Sequence, residues 1–132
     1  MDNRHEKPSL LIVDDDANFG ESLQLALDDT YEISLAPSIE TAKRSIREKL
    51  PDVVLIDLRL PDGDGLDLFR DLTLYRTMPV TFFMTAYATK ENTIRARKET
   101  GRDFLLKPFE IDRLKNLITM QLEKIRERSE PA

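Results

Sequence analysis

The chain has 132 residues, 25 of them Asp or Glu against 20 Lys or Arg, a formal net charge of −5 and no cysteine. That length suits a single domain with its own core, and the missing cysteines exclude a disulfide framework or thiolate metal site and fit a reducing cytoplasm. The acidic balance argues against a nucleic-acid surface, no apolar run nears the roughly 18 residues of a membrane span, and the opening MDNRHEKPS lacks the apolar stretch of a signal peptide.

Residues 1–8, with His5 as an inert passenger, read as a disordered tail ahead of a domain over 9–125. The first strand-length run, Leu10 to Val13, is unbroken, as parallel strands buried on both faces are, and it ends in Asp14, Asp15 and Asp16. Phe19, Leu23, Ala26 and Leu27 then keep a 3.6-residue period that predicts a helix. Ile33 to Ala36 is a second strand, and Ile39, Ala42, Ile46 and Leu50 mark a second helix. Val53 to Ile56 runs straight into Asp57, after which Pro61, Gly63 and Gly65 turn the chain twice before a helix on Leu66, Phe69 and Leu72. Val80 to Met84 is followed by Thr85. The helix predicted over Lys90 to Thr100 has only Ile94 and Ala96 as apolar anchors, so it should be the most loosely held. Phe104 to Leu106 leads into Lys107 and Pro108, and the last helix carries Ile111, Leu114, Ile118, Leu122 and Ile125. That helix outruns the sheet it covers, and residues 126–132 are expected to be a frayed tail or the start of a linker to an output domain missing from the chain.

Strict alternation of strands and helices predicts a doubly wound, five-stranded parallel α/β sheet with five helices in three layers and right-handed crossovers. All strand carboxyl ends then share one edge, where open α/β sheets bind ligands. Asp14, Asp15, Asp57, Thr85 and Lys107 converge there. Three such carboxylates repel one another unless a cation sits among them, and oxygen-only ligands select a hard ion, Mg²⁺ before Zn²⁺. Asp14, Asp15 and Asp57 bring −3, Mg²⁺ brings +2 and Lys107 brings +1, so the site balances. A hydroxyl and an ammonium facing a carboxylate and a metal suit a phosphoryl group in transfer, and Asp57 is then the nucleophile that forms an aspartyl phosphate. Each residue also has a plainer reading. Asp14 to Asp16 resemble a helix N-cap with first-turn acids, which for Asp16 is the whole reading. Asp57 reads as a turn residue before Pro61, Thr85 as a cap, Lys107 as an exposed loop lysine, and Tyr87 and Phe104 as packing. Their joint placement after strands one, three, four and five favours the functional account.

At these residues the sequence resembles the receiver domain of bacterial two-component response regulators, most nearly the N-terminal receivers of multidomain transcriptional regulators such as the NtrC-like group. LLIVDDD at 10–16 is similar to that family's acidic pair, VVLIDLRLPDGDGL at 53–66 to its phosphoacceptor segment, and MTA at 84–86 and DFLLKPF at 103–109 to its hydroxyl and lysine signatures. The resemblance implies a flavodoxin-like sandwich of strand order 2-1-3-4-5. It further implies that Asp57 accepts a phosphoryl group from a sensor histidine kinase, with Mg²⁺ held by Asp14, Asp15, Asp57 and the backbone carbonyl of Arg59. Lys107 would pair with phosphoryl oxygens and Thr85 would swing to hydrogen-bond one, while Phe104 turns inward as an aromatic switch. Arg59, Ala86 and Tyr87 would flank the phosphoryl group, with Tyr87 obstructing the attacking water and lengthening the phosphorylated state. The Lys107–Pro108 peptide is often cis in such domains.

Two departures stand out: Thr100 and Gly101 replace the family's usual Gly-Ala, which moves the expected helix cap one residue late, and Phe104 replaces the usual Tyr. Signalling would change the face made by the fourth helix, fifth strand and fifth helix, read by a partner or by a second copy in a homodimer through that face or the extended last helix. No direct nucleic-acid or membrane binding is expected of the domain. A phosphatase of the haloacid dehalogenase kind would need a second acid where Arg59 stands, and a flavin binder would need a phosphate loop after the first strand. A non-phosphorylated docking domain is the remaining alternative.

Overall fold

The structure is a computed structural model and describes residues 7–100 and 104–129. Five parallel strands, β1 (Ser9–Val13), β2 (Glu32–Ala36), β3 (Val53–Asp57), β6 (Val80–Thr85) and β7 (Phe104–Leu106), form one sheet in the order β2-β1-β3-β6-β7. Between β3 and β6 lies a short antiparallel pair, β4 (Arg59–Leu60) and β5 (Gly63–Asp64). Counting only the large sheet, the order is the expected 2-1-3-4-5.

The helices are α1 (Ala17–Leu27), α2 (Ile39–Glu48), α3 (Gly65–Leu72), α4 (Lys90–Thr100) and α5 (Ile111–Ser129). Alternate strand residues serve opposite faces of a sheet. Leu11, Val13, Val54, Ile56 and Phe83 therefore pack with Ile39, Ala42, Leu68 and Ala96 on the α2–α4 side. Leu10, Ile12, Val53, Leu55 and Met84 pack with Leu23, Leu27, Leu114 and Ile118 on the α1 and α5 side. β1, β3 and β6 are buried on both faces, because each has a strand on either side and helices above and below. β2 is the exception. As an edge strand it leaves Ser34 and Leu35 exposed, and the Leu35 methyls lie 3.6 and 3.7 Å from where a Cβ on Gly20 would stand.

Described residues near each end of the chain carry structure. Lys7 Nζ donates to the Asp28 carbonyl at 3.0 Å and the Pro8 carbonyl accepts from Glu32 N at 2.9 Å, so the sheet edge reaches these two residues of the supposed tail. Residues 126–129 are the last of α5, while 1–6 and 130–132 lie outside the described residues.

α4 is held differently from the expectation. Ala96 is buried, but Ile94 is 54 % exposed and anchors nothing in the core. Ion pairs supply the grip: Arg95 to Asp64 at 2.7 Å and Arg70 to Glu99 at 2.7 Å tie α4 to α3 and its cap. The expected late cap at Gly101 falls outside the described residues. No helix among the described residues is long and apolar enough to cross a membrane.

Candidate functional site

Asp14 follows β1 because the strand ends there, its amide still donating to the Ala36 carbonyl of β2 at 3.0 Å. Asp16 N-caps α1 by accepting from Phe19 N, and its own amide donates to Asp14 Oδ1 at 2.9 Å. The plainer reading of Asp16 is thus the observed one, while Asp14 is 7 % exposed and faces inward. Asp57 is the last residue of β3, also 7 % exposed, and its Oδ1 accepts from Arg59 N at 2.9 Å. Asp14, exposed Asp15 and Asp57 can each bring a carboxylate oxygen within 4.8 Å of the others. All three donors are hard oxygens, a set that fits Mg²⁺ or Ca²⁺ and not a soft metal.

Lys107 joins the acids. Its backbone amide donates to the Thr85 carbonyl at 2.8 Å, and the Lys107–Pro108 peptide is cis. Its Nζ lies 2.5 Å from Asp14 Oδ2 and 2.7 Å from Asp57 Oδ2, and 4.3 Å from the centre of the Phe19 ring. Burial pushes the Asp14 carboxyl above its ordinary 3.8, although the Lys107 hydrogen bond pulls the other way. Burial likewise disfavours the Lys107 ammonium, but its hydrogen bonds to Asp14 and Asp57 outweigh that and hold it above its ordinary 10.5. The lysine is therefore charged at neutral pH.

Thr85 ends β6, fully buried, with Oγ1 accepting from Tyr87 N at 3.0 Å. Ala86 and Tyr87 are exposed, and the Arg59 guanidinium stacks over the Tyr87 ring at 5.1 Å from its centre. Phe104 is half-buried beside Phe83, its register partner. The sequence-predicted residues thus gather at one sheet edge, with Asp14, Asp15, Asp57 and Lys107 forming the charged centre and Arg59 and Tyr87 its rim.

Sequence reasoning overlooked Phe19 and Asp62 as contributors and read Gly65 only as a turn residue. Phe19 counted only as a helix apolar residue, yet its ring faces Lys107 and meets Phe109 edge-on at 6.0 Å. Gly65 leaves no room for a Cβ against the Asp57 carbonyl, and its amide donates to Leu58 O at 3.0 Å. Asp62 accepts from Ile39 N and Glu40 N, which holds its carboxyl below the ordinary 3.8. The close turn at Gly65 was signalled by the glycine itself; Asp62 and Phe19 act across sequence gaps that carry no local signal.

Comparison with known proteins points the same way. Residues 10–119 match the family model described as the response regulator receiver domain. The DNA-binding transcriptional regulator NtrC of Proteus hauseri is 34% identical over 130 residues, covering 96% of this chain and 27% of that protein; the chain spans 25 to 28% of the length of the curated relatives it matches. Among solved structures, the non-phosphorylated HemR receiver domain from Leptospira biflexa superposes with a TM-score of 0.71 at 32% identity, over 96% of this chain and 99% of that one. The beryllofluoride-activated NtrC4 receiver domain dimer gives 0.78 at 26%, over 88% and 97%. With four ordered motifs on one sheet edge and a family match across most of its length, this chain belongs to the receiver domain family of two-component response regulators.

Proposed function

We propose that the domain is a phosphoacceptor switch in which Asp57 takes a phosphoryl group from a sensor histidine kinase. The observation that carries this reading is the meeting of Asp14, Asp15 and Asp57 within 4.8 Å, with Lys107 Nζ bonded to two of them. Mg²⁺ held by Asp14, Asp15, Asp57 and the Arg59 carbonyl would supply positive charge against the phosphoryl oxygens. A carboxylate oxygen of Asp57 bonds to phosphorus as the donor's P–N bond breaks; its electron pair returns to the imidazole, which takes up a proton. Held at a strand tip by Arg59 N and Lys107, Asp57 needs little reorganisation to attack. Lys107 then follows the new charge onto a phosphoryl oxygen, and Thr85 exchanges the Tyr87 amide for another, which lets Phe104 turn in.

The resulting change at α4, β7 and α5 is the signal, read in the cytoplasm by a partner or a second copy. Its output, by the names of the curated relatives, is control of transcription through sequence beyond this domain. Arg59 and Tyr87, stacked at the rim, slow the attack of water on the aspartyl phosphate. Tyr87→Ala is expected to shorten the phosphorylated lifetime, and an unchanged decay rate would refute that role.

The deciding experiment is incubation with Mg²⁺ and acetyl phosphate, followed by intact mass. Gain of one base-labile phosphoryl group, absent in Asp57→Asn, supports the reading. No adduct, together with no Mg²⁺ binding, would favour a docking domain that keeps only the shape.

A further inference from the structure

The loop that carries Arg59 is fastened to a helix that gives no residue to the site. Asp62, at the tip between β4 and β5, accepts from Ile39 N at 2.9 Å and from Glu40 N at 3.0 Å. Thr41 N goes to Ser38 Oγ at 3.1 Å, the helix's own cap. The first three free amides of α2 are thus satisfied, two of them by a carboxylate more than twenty residues away. The same turn packs on α2: a Cβ on Gly63 would stand 3.0 Å from Ile39 Cδ1, and Leu58 and Leu60 share a core cluster with Ile39. At its ends the loop belongs to the site, through Arg59 N on Asp57 Oδ1 and Gly65 N on the Leu58 carbonyl. Because Arg59 pairs with Asp64 across the hairpin, a shift of the tip is carried back to Arg59.

We infer that Asp62 is a positioning residue for the divalent cation: by tying the β4–β5 turn to the N-terminus of α2, it fixes the Arg59 backbone beside Asp57 and so sets the affinity of the site for Mg²⁺. The inference rests on the metal reading proposed above. It differs from a helix-capping role, which would lower stability and leave the metal untouched. It also couples α2 to the site, since a partner that grips the start of α2 acts on the same tether.

The test is a Mg²⁺ titration of the whole chain, followed by amide chemical shifts, with thermal unfolding in EDTA alongside. Asp62→Ala should raise the Mg²⁺ Kd by about tenfold, the lower range for an outer partner of a metal ligand. Asp62→Asn, which keeps one accepting oxygen, should fall between the two. Ser38→Ala removes a cap from the same helix without touching the loop, so it should lower the Tm and leave the Mg²⁺ Kd at the wild-type value. Equal affinities of Asp62→Ala and wild type, or equal weakening by Ser38→Ala, would overturn the inference alone. If Asp62→Ala does not fold, an Asp62→Asn protein that binds Mg²⁺ like wild type overturns it. No saturable response in wild type would instead remove the metal reading, and this inference with it.

Discussion

Gly65 shows how little space the site leaves. A Cβ there would collide with the Asp57 carbonyl oxygen and stand 2.8 Å from Ile56 Cγ2, and a backbone carbonyl cannot swing aside. Gly65→Ala is expected to cost about 2 to 3 kcal/mol, as overpacking does, read from the urea midpoint at unchanged slope. Gly20→Ala is its control: the nearest atoms are Leu35 methyls at 3.6 and 3.7 Å, so helix propensity should dominate and stability should hold or rise by about 0.5 to 1 kcal/mol. Asp62 makes a pH prediction. Its carboxyl is more acidic than the ordinary 3.8 because two α2 amides bond to the charged form. The stability it lends is therefore complete above 3.8 and is lost as pH falls through the lower folded value. Asp14 has the opposite sign, since burial raises its pKa and ionising it costs stability as pH climbs past 3.8. The difference between wild-type and Asp62→Asn Tm curves should isolate the first effect, vanishing at the acid end and opening as pH rises. A flat difference would contradict it.

Among the elements, α4 has the weakest hold on the core, and its sequence says so: KENTIRARKET has too few apolar residues to bury a stripe. What the sequence did not reveal is the ionic grip. Arg95 and Glu99 meet Asp64, the cap of α3, and Arg70 within it, a pairing fixed only when α3 and α4 lie side by side on the sheet. These side chains are 30 to 53 % exposed, so each pair contributes less than about 1 kcal/mol. Arg95→Ala should change global stability by less than about 0.5 kcal/mol while speeding hydrogen exchange of α4 amides several-fold, because α4 opens locally without the rest of the fold. Equal protection of α4 in both proteins would show that Ala96 and the backbone suffice. The β4–β5 hairpin was legible only as turns, since two-residue strands carry no period to read.

At the scale of the whole molecule, five strand ends are brought to one edge, and the cost is a concentration of three acids, Asp14, Asp15 and Asp57, of which a single lysine neutralises one. A cation that binds the folded chain and not the unfolded one stabilises by mass action. Mg²⁺ at ten times its Kd should add about 1.4 kcal/mol and raise the Tm by about 4 to 6 °C, reversed by EDTA and reduced in Asp57→Asn. No rise would argue that Lys107 alone balances the site. The alternation of apolar runs with amphipathic periods was enough, by itself, to determine the parallel sheet and the edge on which Asp14, Asp57, Thr85 and Lys107 stand, because a helix between two strands carries the chain back to the starting edge, so successive strands run the same way. Local pattern also marked Asp16 as a cap and Gly65 as a turn. Only the tertiary structure decided that Lys107 spans both buried acids, that Phe19 faces it, that Ile94 is turned to solvent, and that Asp62 ties its loop to α2. Each of these depends on distances between segments far apart in the chain, which the packing of helices on the sheet sets and no local residue pattern encodes.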